Sequence, residues 1–278
     1  MKILACLKAV PDPASRLFVS DDKTWIKDRD LTFVTSEADT HAIEEALRLR
    51  DALTGTDPAE SPGEGGDTVE VVVLSLGDER AGRALRAGLA MGADRAIHLA
   101  DDAFLGGDEL ANARLIAAAI QSDGGADIVL TGVQSDDLGS GMTGIMIAEF
   151  LGCVHASVVV AVEPRDGGLR VRRELEGGVT ETLDLQMPCL LTIQLGLNQP
   201  RYASLKGIMA AKKKELRVWG LEDLPGVDAS RLGREGAGYQ VREVAAPDRD
   251  SHVQILSGSP AEAVAQLVEK LRKDAKVI

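Results

Sequence analysis

Gly139, Gly141 and Gly144 interleave with Ser140 and Thr143 in one short stretch of the chain. Residues of these types at this spacing can bind phosphate. Glycines let the backbone approach an anion closely, hydroxyls donate to its oxygens, and a helix N-terminus adds unpaired N–H groups and a partial positive charge. The letters spell GxGxxG, and Glu163 stands roughly twenty residues on, where a dinucleotide fingerprint places its acid. That fingerprint needs its first glycine right after a strand, whereas Val133 to Leu138 intervene here. No Gly-Lys-Ser/Thr run is present, which excludes a P-loop. Read alone, the stretch fits either a phosphate cradle or a strand-to-helix turn that needs glycine only to bend. Asp136 and Asp137 would repel phosphate if they pointed inward, so they are expected to face a ribose, a backbone amide or solvent.

Such residues need a strand before them and a helix after them. Ile128 to Thr131 is a short apolar run ending at Gly132, and Ile145, Ile147, Ala148 and Leu151 recur at helical spacing up to Gly152. The same unit recurs upstream. Strands are expected over residues 2–7, 69–75 and 96–99, and helices over 40–53, 79–91 and 108–121, with Thr40 placed to cap the first helix. Residues 20–36 read as an irregular excursion or hairpin, and 55–67, rich in Gly, Pro, Asp and Glu, as a flexible surface loop. Strands alternating with helices imply a Rossmann-like α/β fold, a parallel sheet with helices on both faces. Ligands of such sheets sit beyond the strand carboxyl ends, so loops 8–13, 76–77 and 132–143 converge on one site. Further on, residues 157–162, 169–175 and 179–185 read as an antiparallel addition, and 188–193 as another buried strand.

Composition narrows the function classes. A net charge of −13 argues against general binding to nucleic acid or an anionic membrane, because both would repel the chain at long range. Aromatic residues make up only 3%, so Ala, Val, Leu and Ile have to fill the core. Cys6, Cys153 and Cys189 are odd in number and set in apolar surroundings, which reads as reduced thiols in a cytoplasmic protein. His41, His98, His155 and His252 make no metal-ligand spacing, so no metal site is expected. The start of the chain lacks the features of a signal peptide, and no apolar run is long enough to span a bilayer, so no membrane insertion is expected. No Ser-His-Asp, Cys-His or paired-carboxylate constellation offers a catalytic site. Against this acidic background, residues 197–214 mix apolar side chains with Lys212, Lys213 and Lys214. Read alone, the three lysines are a solvated helix end favoured by the macrodipole.

The run Asn198-Gln-Pro-Arg-Tyr-Ala-Ser-Leu-Lys-Gly-Ile-Met-Ala-Ala-Lys-Lys-Lys214 resembles the signature of the electron transfer flavoprotein β subunit, together with Val171-Arg-Arg-Glu-Leu-Glu-Gly-Gly178 and Met187-Pro188. The likeness extends through Ala90 to His98, the Ala42 to Leu49 helix and the loop from Lys8 to Asp12, covering the chain from Met1 to about Leu224. It implies an adenine-nucleotide α-hydrolase-like fold paired with an α subunit that carries the electron-transferring FAD. On this basis residues 1–200 form the nucleotide-binding domain, 201–215 a partner recognition loop, and 216–278 a C-terminal arm and helix packing on the α subunit.

Carried across residue by residue, the family's nucleotide contacts fall at Cys6, at Ser36, Glu37, Ala38 and Asp39, and at Leu76. They continue along Gly132, Val133, Gln134, Ser135, Asp136, Asp137, Leu138, Gly139, Ser140, Gly141, Met142 and Thr143. Glu174 falls near the partner's flavin, although composition alone makes it a surface carboxylate. Arg201, Tyr202, Leu205, Lys206, Ile208, Met209, Lys212, Lys213 and Lys214 fall in the docking segment, with Leu205 as apolar anchor and the basic residues steering encounter.

In most family members the nucleotide is AMP, a structural ligand; in electron-bifurcating members a second FAD takes the site and accepts a hydride from NADH. Ser36-Glu37-Ala38 stands where AMP-type members commonly show Asn-Pro-Phe, while Thr143 and Gly144 keep the end of their Asn-Gln-Thr-Gly. Residues 102–108 resemble a loop of bifurcating members, but Glu109 and Asn112 replace threonines common there. The function implied is electron transfer, with AMP in this subunit, electrons arriving from acyl-CoA or related dehydrogenases and leaving to a membrane quinone oxidoreductase. The alternatives are a bifurcating flavoprotein with FAD in this subunit and an adenine-nucleotide sensor without redox work. The docking segment weighs against the sensor.

Overall fold

The computed structural model describes residues 1–55, 69–247 and 253–278. Its apolar runs become the inner strands of a nine-stranded sheet. Strand β1 (Lys2–Cys6) is followed by a small antiparallel pair, β2 (Ala9–Pro11) with β3 (Phe33–Thr35), and then by helix α1 (Glu37–Thr54). Next come β4 (Glu70–Leu76), α2 (Glu79–Met91), β5 (Arg95–Leu99), α3 (Glu109–Ser122), β6 (Ile128–Gly132) and α4 (Thr143–Leu151). The second part holds β7 (Val154–Arg165), β8 (Gly168–Glu174), β9 (Thr180–Gln186), β10 (Cys189–Ile193), α5 (Leu205–Ala211) and β11 (Leu216–Trp219). A one-turn α6 (Gly233–Gly236) and the helix α7 (Pro260–Lys270) end the chain.

The sheet order is β11-β5-β4-β1-β6-β10-β7-β8-β9. From β11 to β7 neighbours run parallel, and β8 and β9 add on antiparallel, as the alternation in their sequence predicts. The parallel strands are apolar on both faces because each face meets helices. Ile3, Ala5, Val71 and Val73 pack toward α1 and α2, while Leu4, Cys6, Val72 and Leu74 pack toward α3 and α4. Each fully buried Ile, Leu or Val contributes about 1.5–3 kcal/mol, so β1 and β4 anchor the domain without large aromatic residues.

Three expectations change. Thr40 does not cap α1: Ser36 is the N-cap residue, and Thr40 lies inside the first turn, where its hydroxyl donates to Ser36 O at 3.2 Å. Residues 216–219, assigned from the sequence to the arm, are instead the sheet's edge strand, because Leu216 to Trp219 continue the β5 ladder. The recognition loop contains a helix, α5, whose N-cap Ser204 accepts from Gly207 N at 3.0 Å. Of the loop expected over residues 55–67, all but Gly55 lies outside the described residues, as does His252. No helix among the described residues is long and apolar enough to cross a membrane.

Candidate functional site

The chain reverses direction across the sheet at β1. From β1 it passes outward to β4 and β5, then returns through α3 to β6 on the other side of β1. A crevice opens at such a point beyond the strand carboxyl ends, and here it is a cavity of about 290 Å³. Its floor is Cys6 and Leu7 where β1 ends, Leu76 and Gly77 where β4 ends, and Thr131 and Gly132 at the end of β6. Burial pushes the Cys6 thiol far above its usual range, which leaves it neutral and unreactive.

One side is the loop between β6 and α4. Gly139 and Gly141 take positive φ of 63° and 67°, which side chains with a Cβ rarely adopt. Gly144 sits where a Cβ would lie 2.5 Å from Thr131 Oγ1, so only glycine lets α4 start this close to β6. No side chain caps α4, and its first N–H groups have no intrahelical partner. Ser140, Met142 and Thr143 stand beside that open end on the cleft lining. An anion placed there meets N–H and hydroxyl donors together with the positive end of the helix.

Asp39 holds the geometry. Its Oδ2 accepts from Lys8 N at 2.7 Å and its Oδ1 from Gly132 N at 2.9 Å, tying the end of β1 to the end of β6. Burial pushes this carboxyl up to about 7, against the lowering effect of those two donors. Lys8 Nζ donates to Asp137 Oδ1 at 2.8 Å and lies within reach of Ser135 Oγ at 3.4 Å, bringing a cation to the rim.

The expected contact residues divide into two groups. Cys6, Asp39, Leu76, Gly132, Val133, Gln134, Ser135, Leu138, Ser140, Gly141, Met142 and Thr143 line the cleft. Ser36, Glu37, Ala38, Asp136, Asp137 and Gly139 do not line it, and most of these brace the loop from behind. Asp136 Oδ2 accepts from Glu37 N at 2.8 Å, and Asp136 N donates to Ser36 Oγ at 3.3 Å. Both aspartates thus turn away from the anion end, Asp136 to a backbone amide and Asp137 to Lys8. Glu163 pairs with Arg165 on β7, so it takes no part in a dinucleotide fingerprint here.

The sequence puts Lys8 on a converging loop and singles out residues 102–108 with Glu109 and Asn112 without naming any of them as a contact, and it gives no sign of Tyr239. Lys8, the corner from Phe104 to Glu109, Asn112 and Tyr239 are all on the lining. The corner follows β5, so the strand-end rule that picked out the other loops points to it as well. Tyr239 carries no such signal, because only the returning chain places it there. Among the described residues, no group of three or more His, Cys, Asp or Glu is arranged to hold a metal.

A second surface lies away from the cleft. Gly207 and Ala211 face inward on α5, where a Cβ on Gly207 would strike the Ala90 carbonyl and Ala211 is buried. Leu205 and Met209 consequently point outward, 77% and 60% exposed, with Ile208 beside them and Tyr202 exposed next to the helix. Not all of the basic residues are free to steer. Arg201 binds Glu44 Oε2 at 2.9 Å and Asp51 Oδ2 at 3.1 Å, both buried acids of α1. Lys214 Nζ donates to Leu89 O and Ala93 O at the end of α2, and burial lowers its pKa. Lys206, Lys212 and Lys213 remain exposed. Glu174 ends β8 in the antiparallel extension, exposed and off the cleft lining.

The electron transfer flavoprotein domain family matches residues 24–224. The chain is 34% identical over 271 residues to the electron transfer flavoprotein subunit beta of Methylophilus methylotrophus, covering 97% of each chain. It is 36% identical over 272 residues to the corresponding subunit of Thermoanaerobacterium thermosaccharolyticum, covering 98% of each. The chain belongs to the electron transfer flavoprotein β-subunit family. Similarity at 34% over 98% of each chain also extends to the caffeyl-CoA reductase-Etf complex subunit CarD of Acetobacterium woodii. As a member of this family, the chain is one subunit of a flavoprotein and has an α subunit as its partner.

Proposed function

We propose that this family member holds AMP in its cleft and, paired with an α subunit carrying most of the FAD contacts, carries electrons from acyl-CoA-type dehydrogenases to a quinone oxidoreductase. The observation that carries the nucleotide reading is the uncapped N-terminus of α4 beside Ser140 and Thr143. The cavity of about 290 Å³ is near the lower end for small-molecule sites and suits a mononucleotide. FAD, when bound, supplies the electron chemistry. This chain's residues act by binding and positioning: the cleft stiffens the sheet's carboxyl edge, and α5 presents Leu205 to a donor enzyme. The relative named as part of a caffeyl-CoA reductase-Etf complex supports an enzyme of CoA esters as a partner, but a reductase consumes electrons, so that name favours the bifurcating reading over this direction of flow. Helix α7 has no buried residue and exposes Val264, Leu267 and Val268 at helical spacing, which suits packing on the α subunit.

The second reading, FAD in this cleft and electron bifurcation from NADH, is favoured by the lining's extension past β4 to the corner after β5. One experiment separates the readings. The co-expressed heterodimer is denatured, and released FAD and AMP are counted. Equimolar FAD and AMP supports the leading reading, two FAD supports bifurcation, and no flavin defeats both.

A further inference from the structure

One wall of the cleft comes from the part of the chain beyond the family match. After β11 the chain returns across the corner that follows β5, burying Leu232 and carrying Tyr239 onto the lining. Gly233, at φ 51°, permits the close approach, since a Cβ there would strike the Ala103 carbonyl. Two acids receive this strap. Asp108 caps α3 with Oδ1, accepting from Ala111 N at 2.9 Å, and accepts from Gly238 N with Oδ2 at 2.6 Å. Glu109 Oε2 accepts from the Tyr239 hydroxyl at 2.8 Å. Glu109 is buried and on the lining, and its Oε1 makes no hydrogen bond among the described residues.

The cleft is therefore polarised. Its α4 end offers N–H and hydroxyl donors, which suit a phosphate, and its β5 end offers carboxylates, which repel one. Three strand spacings separate β6 from β5 in the sheet order, about 14 Å in all. A phosphate seated at α4 points the rest of a nucleotide toward β5. Ribose is joined directly to the phosphate, so the group that reaches the far end is the base.

We propose that Glu109 and Tyr239 form a base-recognition clamp, in which the Tyr239 ring packs against a purine and Glu109 Oε1 accepts from its exocyclic amino group. The clamp selects adenine over a purine with oxygen at that position. There a carbonyl would face a carboxylate with no proton between them, leaving two acceptors unpaired. Tyr239 as a residue is 52% exposed without a ligand, which leaves surface for a base to cover. This inference rests on the nucleotide reading of the cleft, and it holds for AMP and for the adenosine half of FAD alike.

The test is calorimetric titration of the nucleotide-stripped full chain with AMP and with inosine monophosphate. The parent is expected to prefer AMP by about tenfold or more. Glu109→Gln, whose carboxamide can donate to the oxygen, should bring the ratio toward one. Tyr239→Phe keeps the ring and should lower the ratio less, while Tyr239→Ala should weaken both nucleotides together by about tenfold. An unchanged ratio in Glu109→Gln, with parent-like thermal unfolding, overturns the clamp and leaves the nucleotide site standing. Unchanged affinities in Tyr239→Ala overturn the packing half. If the parent binds neither nucleotide, the reading of the cleft falls and the clamp falls with it.

Discussion

In the cleft, the groups that position a ligand are already bound to other elements: Asp39 to the ends of β1 and β6, Asp136 to α1, Lys8 to Asp137. On α5, Leu205 and Met209 face outward with most of their surface exposed. The first region has met its organising cost during folding, and a ligand finds donors in place. The second keeps apolar area in reserve, and a partner supplies the burial. Its backbone is nevertheless fixed, because Arg86 Nη1 donates to Ala211 O at 2.6 Å and Lys214 caps α2. Residues that look alike in sequence divide between these roles. Asn198 and Arg201 belong to the docking signature, yet Asn198 Nδ2 donates to His41 O at 3.0 Å and to Glu45 Oε2 at 2.9 Å, and Arg201 grips Glu44 and Asp51. They fasten the docking segment to α1.

The sharpest way to break this division is Arg201→Ala. Leaving the buried Glu44 and Asp51 without their cation should cost about 3 kcal/mol of stability. Urea unfolding reads this directly, and a parent-like midpoint would return Arg201 to the steering role. Leu205→Ala should behave in the opposite way. Stability should stay within about 0.5 kcal/mol of the parent, while association with a cognate dehydrogenase weakens roughly ten- to a hundredfold, the worth of about 1.5–3 kcal/mol of leucine burial. Stopped-flow reduction of the heterodimer at parent speed across a range of dehydrogenase concentrations would remove Leu205 as the anchor.

A third test, read as a pH slope rather than as a loss at one pH, concerns Asp39. Its carboxyl is raised in the fold from 3.8 to about 7, so between those values the native state holds a proton that the unfolded chain has released. Its contribution to stability is accordingly present below the lower value and lost as pH rises through about 7. Asp39→Asn should be less stable throughout, because the amide presents a donor to one backbone N–H, but it should lose this part of the pH slope. Urea midpoints from pH 4 to 8 for both proteins measure it, and equal slopes would count against Asp39 as the titrating group.

Much of the architecture is legible in residue order because its rules are local. Valine-rich β4, the bounds of α2, and the glycines after β6 follow from periodicity, punctuation and backbone freedom, each of which a short window contains. The strand-end rule then brings three loops to one crevice without any coordinates. Thr40, four residues beyond the N-cap Ser36, reads as a cap from residue type alone because both carry a hydroxyl, and the choice depends on where β3 ends.

What only the tertiary structure decided is which polar groups are already partnered. Arg201 and Lys214 differ in sequence from Lys206 and Lys213 by nothing that marks them as fastened. Their partners, Glu44, Asp51, Leu89 and Ala93, lie more than a hundred residues away. The same holds for the pair Tyr239 and Glu109, separated by 130 positions and joined at the β5 end of the cleft. Charge and residue type are properties of a position, whereas satisfaction of a charge or a hydroxyl belongs to the pair, and chain closure alone selects the pair.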